Sequence, residues 1–474
     1  MTGLFGTLNT STSGMRAQQH ALQTTSHNLA NSNTVGYSRQ RVTMAANMPQ
    51  SLAGIGQIGT GVVIDGITRI TDDFVNTQLQ NEEASLNRYQ QLSDVLGQLE
   101  AMFNEPSSTG ISHQMSEFFN SWNNLASNPE SLTSKTMVVR QAETFLDTVN
   151  HTLNKMNELS GDTLTQIDKQ ILDFNSAASQ LKGINDQIFN ATVKGEMPND
   201  LLDKRDMLVG QMKNIAGVET STDKYGRTFI KLDGQEVVSE NTVNKLEMTG
   251  EEDNTVSVVT EEGTQPVEIK TGAIKGLQEA LVVVDEKHAE VSGFIENLVL
   301  AVNTIHQGGE DGEGIEFFTV AENGKISVNQ DLINDPSKLN VGKEFGDEAI
   351  AGDGTRAKAI FDLQNTMLSL NSDDWTYDEG TMSFESSASG STLFNQYNEV
   401  VTDMGITKQQ ADNMVANQLD LTILLEQRRD SISGVDINEE VVNMIQYQSA
   451  FQANARAIST ISEMLDTLIN RMGV

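Results

Sequence analysis

The residues best suited to metal or proton chemistry are six histidines, His20, His27, His113, His151, His288 and His306. They form no HExxH pair and no cluster with zinc spacing. An acidic run, Asp373, Asp374, Asp378 and Glu385, fits no EF-hand: taking Gly380 as the invariant glycine puts Trp375 first and Ser386 twelfth in the loop. Gly54, Gly56 and Gly59 match GxGxxG literally, but they precede a strand-like run instead of following one and opening a helix, as a dinucleotide site requires. There is no GxSxG elbow and no Walker loop, and with no cysteine there can be no thiol nucleophile, thiolate metal site or disulfide. The expectation is therefore a protein without catalytic, cofactor or metal sites.

The remaining chemistry is that of surfaces. Sixty-six acidic against 31 basic residues give a net charge of −35, which argues against nucleic acid or an anionic membrane as partner. The opening residues Met1 to Thr12 lack a basic segment and a long apolar core, so no cleaved signal is expected, and no run approaches eighteen apolar residues. The charge is unevenly spread: the first acidic residue is Asp65, and before it stand Arg16, Arg39 and Arg41 as the full charges.

Within that neutral block Leu8, Met15, Leu22 and Leu29 recur every seventh residue, with Thr12, Gln19, Ser26 and Asn33 between them. This is a narrow apolar line on a polar helix. At the other end Val441, Met444, Gln448, Phe451, Ala455, Ile458, Ser462, Leu465, Ile469 and Met472 alternate by three and four, a heptad seam with eight apolar positions. Asp436 or Asn438 can cap that helix, and Glu439 and Glu440 suit its positive end. Neither segment buries enough apolar surface to offset the entropy of ordering it alone, so each needs a partner.

Between the ends, Asn28 to Tyr37 reads as a helix stop and turn, followed by short extended pieces at 38–44 and 61–70. Helical spacing covers 71–103, a segment around Met115 to Leu125, then 131–192 and 199–215, giving an elongated bundle. From Gly217 the texture turns to strands and turns, as in 228–234 and 256–259. A helix returns over 272–306, 315–339 looks extended, 355–370 helical, and 371–390 a polar connection. A long helix over 393–432 then leads through Ser433-Gly434 into the terminal one. The expected fold is mainly α with a β-containing insert. Residues 1–45 with 435–474 form paired terminal helices in an inner coiled-coil layer, 46–216 with 391–434 a helical bundle, and 217–390 an outer α+β domain.

Asn28, Ala30, Asn31, Asn33, Thr34, Gly36 and Tyr37 resemble the N-terminal signature of the bacterial flagellar rod, hook and hook-associated proteins. The run from Gly434 through Gln446, Tyr447, Gln448, Phe451, Asn454 and Arg456 resembles the matching C-terminal signature. Stretches of the middle, Gly59 to Ile64, Asn303 to His306 and Phe317-Phe318, are similar to the hook-associated members, with a poorer match over 234–265. The resemblance implies a structural adaptor between hook and filament, extracellular in the flagellum, and exported through the flagellar type III apparatus without a cleaved signal. The partners it implies are other copies in a ring, the hook protein, the next hook-associated protein, and an export chaperone holding the C-terminal segment. A rod or hook subunit, or a coiled-coil surface adhesin, would be the alternatives. The assembly seam is expected at Leu8, Met15, Leu22, Leu29, Val441, Met444, Phe451, Ala455, Ile458, Leu465, Ile469 and Met472.

Overall fold

The computed structural model describes residues 2–52, 56–250, 255–260, 263–309, 312–321, 325–345 and 350–471. Ten α-helices carry the described fold: α1 (Thr2–Ala30), α2 (Asp73–Phe103), α3 (Ile111–Ser127), α4 (Leu132–Val193), α5 (Asn199–Ala216), α6 (Ala273–Gln307), α7 (Gln330–Asn334), α8 (Thr355–Asp362), α9 (Leu393–Ser433) and α10 (Ile437–Asp466). The chain divides into two compact units, Met1–Arg88 with Asp168–Lys275 and Ala416–Val474, and Tyr89–Ile167 with Gly276–Val415. The boundaries fall inside α2, α4, α6 and α9.

The first unit holds most of the β-structure, all of it antiparallel. Strand β1 (Gln40–Ala46) pairs with β4 (Val62–Arg69), and between them β2 (Gln50–Leu52) and β3 (Gly56–Ile58) form a two-stranded ribbon. Two three-stranded sheets follow, β5 (Glu219–Thr222), β6 (Thr228–Leu232) and β7 (Gln235–Val238), then β8 (Lys245–Gly250), β9 (Thr255–Thr260) and β10 (Gly263–Pro266). Two asparagines of α4 pin these sheets. Asn185 donates to the Thr228 carbonyl at 2.8 Å and accepts from its amide at 3.0 Å; Asn175 does the same at Leu246, at 2.9 and 2.8 Å. A side-chain amide has the donor and acceptor of a peptide group, so each asparagine satisfies a strand residue as a further strand would.

The second unit is built on aromatics. Trp122, Phe118 and Phe119 of α3 are fully buried with Phe145 of α4 and with Phe317 and Phe318, whose rings meet edge to face at 4.6 Å. This spacing on α3 is what marks it as a core helix in the sequence. Asn303 of α6 accepts from the Phe317 and Phe318 amides at 3.1 and 2.8 Å, holding the chain beside the helix. The expected extended stretch at 315–339 contains β11 (Phe318–Val320) and β12 (Ile326–Val328), but then α7 and a 3-10 turn at Pro336–Lys338. Asn329 and Asp335 cap these through their side chains, which converts a polar Asn/Asp run into helical turns. The expected helix over 355–370 stops at Asp362, because Leu368 bridges to Ser391 and needs an extended backbone. The acidic connection holds a minimal hairpin of β13 (Tyr377–Asp378) and β14 (Ser383–Phe384).

His306 ends α6 inside this core. Asn340 donates its amide to Nε2 at 3.1 Å, so Nδ1 carries the proton and donates to the Ile315 carbonyl at 2.7 Å. Burial pushes its pKa down from 6.5 to about 4. The unfolded chain therefore takes the proton first as pH falls, and stability present above pH 6.5 drains away toward pH 4, by about 3 kcal/mol. His306→Gln keeps one donor and one acceptor without titrating. Melting curves at pH 7 and pH 4.5 should show a larger loss in the wild type than in the variant, by several degrees; parallel losses would contradict the assignment.

Candidate assembly interface

The first and last described helices lie against each other. Asn28 of α1 reaches Glu440 of α10, and a Cβ on Gly14 would stand 3.1 Å from the Asn454 amide, so the two helices run antiparallel. That register sets Ala21 and Ala17 opposite Tyr447 and Phe451. The face of α1 that is buried is one of small and polar residues, Ser11, Ala17, Ala21, Thr24, Thr25 and Asn28. Small side chains let two helix backbones approach closely, and the larger residues of α10 fill the gaps.

Leu8, Met15, Leu22 and Leu29 are half-buried on the flank of that face. On α10, Met444, Phe451, Ala455, Ile458 and Leu465 are half-buried and Val441 is exposed, as is Ile469 in the π-helical turn Thr467–Arg471 that follows. Met472 lies outside the described residues. Glu440, Tyr447, Asn454 and Ile461 complete the packed line, one residue ahead of Val441, Gln448, Ala455 and Ser462. The outward side of α10 keeps Ile437, Val442 (62% exposed) and Ile445 (59% exposed) in solvent.

The turn after α1 is built from the Asn-rich motif. Asn31 donates to the His27 carbonyl at 3.0 Å and accepts from the Thr34 hydroxyl at 3.2 Å, and the Thr34 amide returns to the Asn31 carbonyl at 2.9 Å. Gly36 then takes φ +78°, a conformation costly for a residue with a side chain. Ala30, Asn33, Thr34 and Gly36 are exposed, Asn31 and Tyr37 half-buried, and Asn28 is buried. The turn directs Tyr37 back, so that its hydroxyl donates to Asn28 Oδ1 at 2.7 Å. Burial, and then the Asp200, Asp203 and Glu440 carboxylates, push the Tyr37 phenol well above its ordinary range, which keeps it a donor.

Asn28 also accepts from the Gln40 amide at 3.0 Å, and it donates to the Gln40 carbonyl at 2.8 Å and to Glu440 Oε2 at 3.3 Å. Arg39 closes the ring, donating to Glu440 Oε1 at 2.7 Å and to both Glu439 oxygens at 2.6 and 3.1 Å. The hydrogen bonds to Glu439 lead in raising the Arg39 pKa still further. The Arg39 amide binds the Ser433 carbonyl at 3.0 Å, fixing the end of α9. There a Cβ on Gly434 would fall 2.3 Å from the Asp430 carbonyl oxygen, so the link into α10 requires glycine. Asp436 caps α10, accepting from the Asn438 and Glu439 amides.

A second set of ion pairs ties the same strands to α5. Arg69 binds Asp203 and Asp206 at 2.7 and 2.8 Å, and Gln40 donates to Asp200 at 2.8 Å. Sequence reasoning gave Glu440 a helix-end role and left Arg39 and Gln40 without one. The available signal was Arg39 itself, a cation in a 64-residue stretch with no acidic residue, whose counter-ion had to come from elsewhere in the chain. Among the described residues no group of three or more His, Asp or Glu side chains could hold a metal ion, and no helix is long and apolar enough to cross a membrane. Gly56 opens β3 and Gly59 follows it, with β4 and no helix next in the chain, and Gly54 lies outside the described residues.

Flagellar family models match this chain at both of its paired terminal segments. Residues 8–37 match the flagella basal body rod protein model and 426–472 the flagellar basal body rod FlgEFG protein C-terminal model. Residues 96–318 match the flagellar hook-associated protein FlgK helical domain. The chain is 27% identical to flagellar hook-associated protein 1 of Bacillus subtilis, over 100% of this chain and 99% of the relative. It is 25% identical to the Escherichia coli protein of that name, over 98% and 99%. A solved structure of the flagellar hook junction protein FlgK from Burkholderia pseudomallei shares the fold, with a TM-score of 0.60 and 13% identity over 75% of this chain and 100% of that one. Relatives named flagellar hook-associated protein 1 thus match this chain along its full length, and its helical body matches the FlgK domain model.

Glu440→Gln keeps the shape of the junction but leaves Arg39 with one exposed carboxylate. Breaking a buried pair on one side should weaken this attachment of α10 by about 2 to 4 kcal/mol. Limited proteolysis should cut near residues 434–445 at least about thirtyfold faster, since cleavage follows the population of the open form, with the melting of the second unit unmoved. An unchanged cleavage rate would contradict the role given to Glu440.

Proposed function

We infer that this protein is a structural subunit of the bacterial flagellum, the junction adaptor between hook and filament, assembled through its terminal helices. The observation that carries the reading is the pairing of α1 with α10, which uses the small face of α1 and leaves apolar residues of α10 in solvent. Exposed apolar surface of this kind marks a protein–protein contact. On this reading Leu8, Met15, Leu22 and Leu29, with Val441, Met444, Phe451, Ala455, Ile458, Leu465, Ile469 and Met472, pack partly within the pair and partly against neighbouring subunits. The turn of Asn28, Ala30, Asn31, Asn33, Thr34, Gly36 and Tyr37 sets the angle at which α1 leaves the body.

The finer points are proposed with it. Copies form a ring, with the hook protein on one side and the next hook-associated protein on the other. Residues 1–45 with 435–474 act as the assembling domain, 46–216 with 391–434 as the bundle, and 217–390 as the domain presented outside. The chain is exported through the flagellar type III apparatus, its C-terminal segment held by an export chaperone until then. Its role is structural, with no reaction and no cofactor.

Electron microscopy of a deletion strain tests the reading: hooks should remain without attached filaments, with flagellin in the medium. Filaments still joined to hooks would overturn it. Substitutions then separate assembly from folding. Leu298 is fully buried in the second unit, so Leu298→Asp should lower the melting temperature by several degrees or prevent folding. Leu465 is half-buried near the end of α10. Leu465→Asp should leave melting near wild type while cells shed flagellin. Equal destabilisation by both would make α10 an ordinary core helix.

A further inference from the structure

The ribbon of β2 and β3 is a second uncovered surface on the first unit. Its pairing is Gln50 with Ile58, Ser51 with Gln57 and Leu52 with Gly56, and its stem is held by the Asn47 amide on the Gly61 carbonyl at 2.9 Å and the Thr60 hydroxyl on the Met48 carbonyl at 2.7 Å. A two-stranded ribbon is marginal in water unless something packs against it. Ile58 of β3, 47% exposed, Met48 at the stem, 86% exposed, and Val63 of the adjoining β4 face solvent.

Charge selects what covers it. Residues 42–64 contain no charged side chain, in a chain with 20% charged residues and a net charge of −35. A second copy brings the same −35, so copies repel wherever carboxylates face each other and meet without that penalty at their neutral surfaces. The outward side of α10 is the complementary surface. Residues 441–455 are likewise uncharged, and Ile437, Val441, Val442 and Ile445 form an exposed apolar strip turned away from α1. Ribbon and strip are both exposed, so they do not cover each other within one chain. Two different patches that fit each other make a head-to-tail contact, the kind that closes into a ring.

We propose that the ribbon of β2 and β3 docks on the outward apolar strip of α10 of an adjacent copy and so joins neighbouring subunits. The inference rests on the ring assembly proposed above and names the surfaces that form it.

Charge reversal across the contact tests it in the full-length chain, expressed from its own locus. Ile58→Asp and Val442→Lys replace exposed residues, so each variant should melt within about a degree of wild type. Each alone should reduce filaments attached per hook by about tenfold, as expected when one charge is buried unpaired. The double variant Ile58→Asp/Val442→Lys should recover most of the loss, and Met48→Asp should repeat the defect of Ile58→Asp. Wild-type attachment in the single variants, or a double variant no better than the worse single one, would overturn the inference. Immunolabelling of isolated hooks keeps the two readings apart. If the wild-type chain is missing from the junction, the junction reading fails; if it is present and the variants behave as wild type, the docking of ribbon on α10 fails alone.

Discussion

A buried side-chain amide has two donors and two acceptor sites, and in Asn28 all four are met. Gln40 supplies a carbonyl and an amide, Tyr37 a hydroxyl, and Glu440 a carboxylate. Leaving any of these unmet in a buried place costs about 1 to 3 kcal/mol, so Asn28 can be buried where it is only if the turn, the first strand and the last helix all arrive together. The constraint joins two ends of a 474-residue chain at one point. Arg39 fastens the same point from the other side, with Glu439, Glu440 and the end of α9.

The same device recurs through the molecule. Asn175, Asn185 and Asn303 each lie on a long helix and satisfy the backbone of a neighbouring chain segment, as Asn28 does at Gln40. Long helices offer no free backbone groups in their interiors, so a strand laid beside one would lose its hydrogen bonds on that side. Asparagine restores them and also fixes the register, since one side chain fits one peptide unit. The sheets here are small, two or three strands each, and depend on such anchoring more than wide sheets do.

The helical elements were legible because they are long and periodic. Helices α2, α3, α4, α5, α6 and α9 begin and end within a few residues of their expected bounds. The short elements between 315 and 370 were not, since Asn and Asp caps and one bridge decided them over a few residues. The terminal seam was half legible. Stepping through large apolar residues finds Met444, Phe451, Ile458 and Leu465, but it passes over Ala17 and Ala21, whose value is that they are small. It also takes Val441 in place of Glu440, because a carboxylate belongs in a packed line only when its partner is known. That partner, Arg39, is 401 residues away, and no local pattern carries such a pairing.

The central claim is that the paired ends are an incomplete structure, locked at Asn28 and Glu440 and finished by neighbouring subunits. Backbone hydrogen exchange measured in the purified chain and in isolated hook–filament junctions addresses it directly. The account predicts that amides of α1 and α10 exchange much faster than those of α3 and α6 in the free chain, most of all away from the Asn28 junction, and become as slow as them once assembled. Protection of α1 and α10 equal to that of α3 in the free chain, with no further slowing on assembly, would contradict it.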